Sequence, residues 1–133
     1  MTDRDDIGDL LLRYATGIDT RDWPLFRSVF TADCVVDYGE IGTWRGVDAI
    51  ADFMVRAHAM AGQTLHRITN IVVSVQGHRA VARSYVDGLV MAADGNSGVS
   101  AAGFYDDEIV RTSAGWQIAR RRFTPVRVAT LHS

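Results

Sequence analysis

Thr64-Leu65-His66-Arg67-Ile68-Thr69-Asn70-Ile71-Val72-Val73 reads as the start of a long strand with one histidine set into it. A strand sends alternate side chains to opposite faces. His66, Ile68, Asn70 and Val72 are therefore expected on one face, and Leu65, Arg67, Thr69, Ile71 and Val73 on the other. A histidine beside Ile68 and Val72 faces apolar surroundings. Its ordinary pKa lies near the working pH, so it can move protons there. The same placement also suits a core histidine held by one hydrogen bond.

Downstream the chain is nearly all strand. His66–Val75, Ala80–Met91, Val99–Thr112 and Trp116–Phe123 are separated by short turns at residues 76–79, 93–98 and 113–115. Four strands so joined make an antiparallel meander. Pro125 is expected to end the last of them, and residues 126–133 form a tail that reads as a strand end, an interface arm or a disordered segment. On the second strand Ala80, Ala82, Ser84, Val86, Gly88 and Val90 share a face of small residues. Such a face packs tightly against a helix or leaves a cavity, and Trp23, Phe26 and Phe53 are large enough to fill one. On the last strand, strict alternation puts Gln117, Ala119, Arg121 and Phe123 on one face and Trp116, Ile118, Arg120 and Arg122 on the other.

Upstream the pattern is helical. Ile7, Leu10, Leu11, Tyr14 and Ile18 recur at helical spacing, and Thr2 or Asp3 can cap the helix they define. Asp19 follows the stripe directly. Asp22 caps a second helix, Trp23–Phe30, with Pro24 in its first turn. A short strand, Cys34–Tyr38, and a glycine-punctuated hairpin, Gly39–Gly46, precede a third helix from about Val47 to Met60, buried through Ile50, Phe53, Met54 and Ala57 and ended by Gly62. Helices first and a curled sheet after make an α+β fold with helices covering one sheet face.

The chain has 133 residues, a single domain by length. A formal net charge of −2 gives no basic field for nucleic acid or an anionic membrane. The lone Cys34 excludes an internal disulfide and reads as a small buried thiol. No spaced histidine–carboxylate set suggests a metal, and glycine-rich phosphate loops are absent, so no metal and no cofactor are expected. Without a leader or an apolar run of membrane length, the default expectation is a cytoplasmic protein that does not engage membranes.

Four segments carry a family resemblance: Tyr14–Trp23, Ile41–Gly46, Thr64–Asn70, and Gly103–Glu108 running on to Gly115–Arg121. In this order and spacing the chain resembles the SnoaL-like members of the nuclear transport factor 2-like superfamily. The resemblance implies a cone-shaped α+β barrel, three N-terminal helices on a strongly curved, mostly antiparallel sheet enclosing a pocket. It also implies a homo-oligomer, dimer or trimer. Within the superfamily the chain is most similar to cofactor-independent lyases of the scytalone dehydratase, hexachlorocyclohexane dehydrochlorinase and bile-acid 7α-dehydratase type. Those pair an aspartate at the end of the first helix with a histidine early in the sheet, positions that Asp19 and His66 match. Tyr14 matches a catalytic tyrosine five residues before the aspartate, and Arg121 an arginine on the last strand. Scytalone dehydratase has a water-holding tyrosine on its first strand, and Tyr38 is in similar surroundings. That enzyme's second histidine has no counterpart in Ser100-Ala101-Ala102, which argues against scytalone chemistry in detail.

The expected catalytic set is therefore Asp19, His66, Tyr14 and Arg121, with Tyr38, Trp44, Val86 and Gly88 as substrate contacts. Trp44 and Tyr14 equally read as packing residues, and a run of three arginines is often solvated. An Asp–His pair without a serine or cysteine nucleophile suits proton abstraction from carbon. The expected function is a lyase acting on a small hydrophobic hydroxylated or carbonyl substrate. The alternatives are a polyketide cyclase, a ketosteroid-type isomerase, or a non-catalytic domain that binds a small ligand or dimerises.

Overall fold

The structure is a computed structural model and describes residues 2–132. Helix α1 (Asp3–Asp19) is held at its start by a capping box between Thr2 and Asp5, and its buried stripe is Ile7, Leu10, Leu11, Tyr14 and Ile18. Arg21 takes a left-handed conformation and turns the chain into α2 (Trp23–Ser28), which Asp22 caps by accepting from the Leu25 N–H. The second helix is shorter than its apolar residues implied, because Phe30 already belongs to β1 (Phe30–Asp37). A 3₁₀ turn at Gly39–Ile41 leads to β2 (Thr43–Arg45) and then to α3 (Val47–His58). Four long strands follow: β3 (Ala61–Gln76), β4 (Arg79–Ala92), β5 (Ser97–Thr112) and β6 (Gly115–His132). Gly62, expected to end α3, lies inside β3.

All six strands form one sheet in the order β2-β1-β6-β5-β4-β3. Only the β1–β6 pair is parallel. The sheet curls around α1, which packs against both β3 and β6, three strands apart. Its two ends, β2 and β3, do not pair, so the expected barrel is an open curved sheet with helices filling its inner face. No helix among the described residues is long and apolar enough to cross a membrane.

Two bulges overturn the strict alternation expected of the strands. In β3 the register with β4 shifts between Thr69 and Val72, where Asn70 has φ 51°. One extra residue reverses which side chains point inward. His66 and Ile68 face the helices before the bulge; Ile71, Val73 and Val75 face them after it. Val72 is turned outward and is 69% exposed, so it does not share the His66 face. In β6 the pairing skips Ala119, so Trp116 and Ile118 share the inner face with Arg121 and Phe123. The strand also runs through Pro125 to His132, with a second irregularity where Ala102 pairs Arg127 and Gly103 pairs Pro125. A bulge accommodates a residue with no N–H to give, so residues 126–132 are strand, not a separate tail. Ser133 lies outside the described residues.

Cys34 is fully buried, and burial pushes its thiol up to about 11, as fits a small core residue.

Candidate active site

A cavity of about 260 Å³ opens between the inner sheet face and α3. Its lining joins Tyr14, Tyr38, Phe53, His58, His66 and Tyr105, with Val86 and Gly88 from the small-residue face of β4. That face divides in two. Ala80, Ala82 and Ser84 are packed into the core, while Val86 and Gly88 form a cavity wall. Phe53 lines the space and leaves it open. Trp23 instead stacks beside Phe26 and His58.

At one end Asp19 and His66 form a fixed pair. Asp19 is the last residue of α1, and its Oδ1 lies 2.7 Å from His66 Nδ1. The His66 backbone N–H donates to Oδ2 at 2.8 Å, and the Thr64 hydroxyl donates to Oδ1 at 2.9 Å. Thr64 is oriented in turn by Arg21, whose guanidinium donates to the Thr64 hydroxyl and to the carbonyls of Ile18 and Gly62. One arginine thereby joins the end of α1 to the start of β3. Burial raises the Asp19 carboxyl, but the bonds from His66 and Thr64 outweigh it and hold the group below its ordinary value. A carboxylate only accepts, so Nδ1 carries a proton, and in the neutral ring Nε2 presents a lone pair. Gly88 is the cross-strand partner of His66, and a Cβ placed there would sit 3.9 Å from Nε2. A side chain at 88 would therefore be in van der Waals contact with that nitrogen.

Three phenols also line the cavity. Tyr14 and Tyr38 are hydrogen-bonded through their hydroxyls, and the Tyr105 hydroxyl donates to Tyr14 Oη at 3.4 Å. Burial pushes Tyr38 and Tyr105 well above the usual phenol range, so both stay protonated.

Arg121 and Trp44 are placed differently from expectation. Arg121 does not line the cavity. Its side chain is fully buried behind Tyr14 and Tyr105 and forms a bidentate pair with Asp107, at 2.8 and 2.9 Å. Its guanidinium carbon lies 4.2 Å from the Tyr14 ring centre and 3.8 Å from that of Tyr105. Asp107 takes Nε and Nη2, Nη1 has no hydrogen-bond partner among the described residues, and Arg121 meets the site through these rings. Trp44 stacks on Phe53, ring centres 4.2 Å apart, and packs edge-on to Tyr38; it stands outside the cavity lining.

Three residues of this region were not predicted from sequence. Tyr105 and Asp107 share an inward face of β5 with Gly103 and Ile109, a period-two pattern hidden by the acidic run Asp106–Glu108. His58 lies four residues beyond Met54 and eight beyond Ile50, one helical stripe, although it reads as a charge at a helix end. His78 sits in the β3–β4 turn and His132 at the end of β6, both away from the cavity. Among the described residues no three metal-binding side chains converge.

Comparison with known proteins agrees with this architecture. A SnoaL-like domain model matches residues 1–122. The chain is 32% identical over 126 residues to the uncharacterized protein Rv2910c of Mycobacterium tuberculosis, covering 91% of this chain and 84% of that protein. Among solved structures, one from Novosphingobium aromaticivorans, provisionally named an aromatic ring hydroxylase, superposes with a TM-score of 0.89 at 32% identity, covering 96% of this chain and 92% of the other. A second from that organism, provisionally named a scytalone dehydratase, gives 0.87 at 22% identity and covers 100% and 93%. A hexachlorocyclohexane dehydrochlorinase gives 0.87 at 23% identity and covers 98% and 89%. At such identities the last two show the shared fold. By the domain match and the 32% identical relatives, the chain belongs to the SnoaL-like domain family.

Proposed function

We propose that this protein is a cofactor-independent lyase that removes water, or a comparable leaving group, from a small neutral substrate. The observation that carries the reading is the 2.7 Å bond from Asp19 to His66 Nδ1, with the other ring nitrogen beside Gly88 on the cavity wall. His66 Nε2 takes a proton from a carbon next to a carbonyl. The electrons of that C–H bond form the double bond, and the carbon–oxygen bond breaks. Asp19 stabilises the imidazolium while it exists. Tyr14 gives its proton to the departing oxygen, which leaves as water. Tyr105 and Tyr38 contact the Tyr14 oxygen, so the charge left there has phenol donors beside it and the Arg121 guanidinium behind its ring. Transfer of the His66 proton back to Tyr14 through solvent resets both groups. A cavity of this size, near the lower end for small-molecule sites, fits a compact substrate, and its apolar walls favour an uncharged one.

A second reading keeps the base and drops the leaving group. In an isomerase the tyrosine cluster would hold an enolate oxygen while His66 returned the proton to another carbon. The three converging phenols favour that reading specifically.

The test is a panel of one- and two-ring β-hydroxy ketones incubated with wild type and with His66→Gln. Mass spectrometry reads loss of water, and NMR reads isomerisation at constant mass. The lyase reading predicts mass loss with wild type and about 100- to 10,000-fold less with the variant. Products of unchanged mass favour the isomerase. Equal conversion by both proteins overturns a His66 mechanism.

A further inference from the structure

His58 is a second imidazole on the cavity wall, and the mechanism above leaves it unused. It lies in the last turn of α3, with its ring packed against Trp23 at 5.9 Å between ring centres. Its Nδ1 is 2.8 Å from the carbonyl oxygen of Met54, one turn back on the same helix. A carbonyl can only accept, so Nδ1 holds the hydrogen and Nε2 holds a lone pair. With Nδ1 turned to its own helix, Nε2 occupies the ring edge away from that backbone. No described side chain or backbone group hydrogen-bonds to it. Burial is the largest influence on the ring and holds its pKa below the ordinary value, with the Arg21 charge acting in the same direction, so the ring is neutral near neutral pH. Two histidines therefore line the cavity, each with its Nδ1 hydrogen taken by a partner outside the cavity lining or on its own helix.

We infer that His58 is a substrate-binding residue whose Nε2 accepts a hydrogen bond from a hydroxyl of the ligand, so that the cavity selects hydroxylated molecules over their apolar analogues. This deepens the proposed function by assigning the substrate a hydroxyl that is held and not expelled. It rests on that reading only in taking this cavity as the substrate site. Loss of a hydroxyl from the ligand leaves the His58 acceptor facing an apolar group, which is the situation in which hydrogen-bonding sites discriminate.

The experiment uses 4-hydroxyacetophenone and 4-methylacetophenone, near-equal in size, as probes. Their dissociation constants are measured by calorimetry for wild type, His58→Phe and His66→Gln. The expected result is a preference for the hydroxyl compound of about 5- to 10-fold in wild type, the worth of one ordinary hydrogen bond. His58→Phe should abolish it and His66→Gln should retain it. Preference that survives in His58→Phe, or that disappears only in His66→Gln, overturns the inference. Should His58→Phe fail to fold, nitrogen-15 NMR of histidine-labelled wild type stands in its place. The hydroxyl probe alone should shift the His58 Nε2 resonance, and a proton on Nε2 or no shift overturns the inference. Failure of both probes to bind overturns it together with the cavity as substrate site. Selective binding without turnover of any ketone overturns the lyase reading and leaves His58 in place.

Discussion

Thr64 faces two charged groups with one hydroxyl. It accepts from Arg21 and donates to Asp19, each at 2.9 Å, so its proton has one direction to point. Replacing it with valine keeps the shape and removes both bonds. Thr64→Val is expected to lower turnover about tenfold by loosening the Asp19 carboxylate, and to cost about 1–2 kcal/mol of stability, because Asp19 and Arg21 each lose a partner while partly buried. Steady-state kinetics with urea unfolding checks both, and Thr64→Ser should recover most of each loss. At this scale Asp19 and His66 were legible beforehand. Asp19 stands at the end of a helical stripe and His66 near the start of a strand, and the resemblance set them opposite each other. Arg121 lies on the strand the resemblance implied, but Asp107 and the rings of Tyr14 and Tyr105 surround its guanidinium in place of the cavity. Nothing local told that Asp107, 14 residues earlier, would take its guanidinium.

At the scale of elements, the bulge at Asn70 decides which half of β3 builds the site and which half builds the core. Its φ of 51° is tolerated by asparagine and glycine and disfavoured for β-branched residues. Asn70→Val is therefore expected to lose about 1–3 kcal/mol while Asn70→Gly stays near wild type, as read by denaturant unfolding. A shift of the His66 side of the strand would also reduce activity in the valine variant. Helix and strand order, the first helix cap and the four long strands follow from periodicity and turn residues. The bulges do not. A strand with one extra residue has the same composition as one without, and Ile71 and Val73 look identical to Val72 until the partner strand fixes the register. The same holds at Ala119, where the skipped residue brings Arg121 inward. Pro125 misled for a related reason. It ends a regular strand, and here it sits in an irregular one.

At the scale of the whole molecule, one ion pair among the described residues, Asp107–Arg121, has both side chains fully buried. Burial pushes the Asp107 carboxyl up and the adjacent guanidinium pulls it back, while the Asp107 charge holds Arg121 protonated. Asp107→Ala leaves that guanidinium in the core without its partner and is expected to cost about 3–5 kcal/mol, measured by urea unfolding. Replacing both by apolar residues is expected to cost far less than the single change.

Acid stability carries a second signature of the site. The folded pKa of His58 lies below its ordinary 6.5, so the unfolded chain takes up a proton there before the folded one does. Its contribution is fully present above about pH 6.5 and declines as the pH falls from there through the folded value. Asp19, also held low, adds a further loss below its ordinary 3.8. Urea unfolding across this range should show His58→Gln losing part of the upper decline and keeping the lower one.

The central claim is that Asp19 leaves His66 Nε2 free to take a proton from carbon. Solvent-deuterium exchange into the α-position of a cavity-binding ketone measures that step without any leaving group. Exchange is expected to be accelerated by wild type and to be about 100- to 10,000-fold slower with Asp19→Asn or His66→Gln. Exchange at wild-type rate in His66→Gln, or none with wild type on a ketone that binds the cavity, would contradict it.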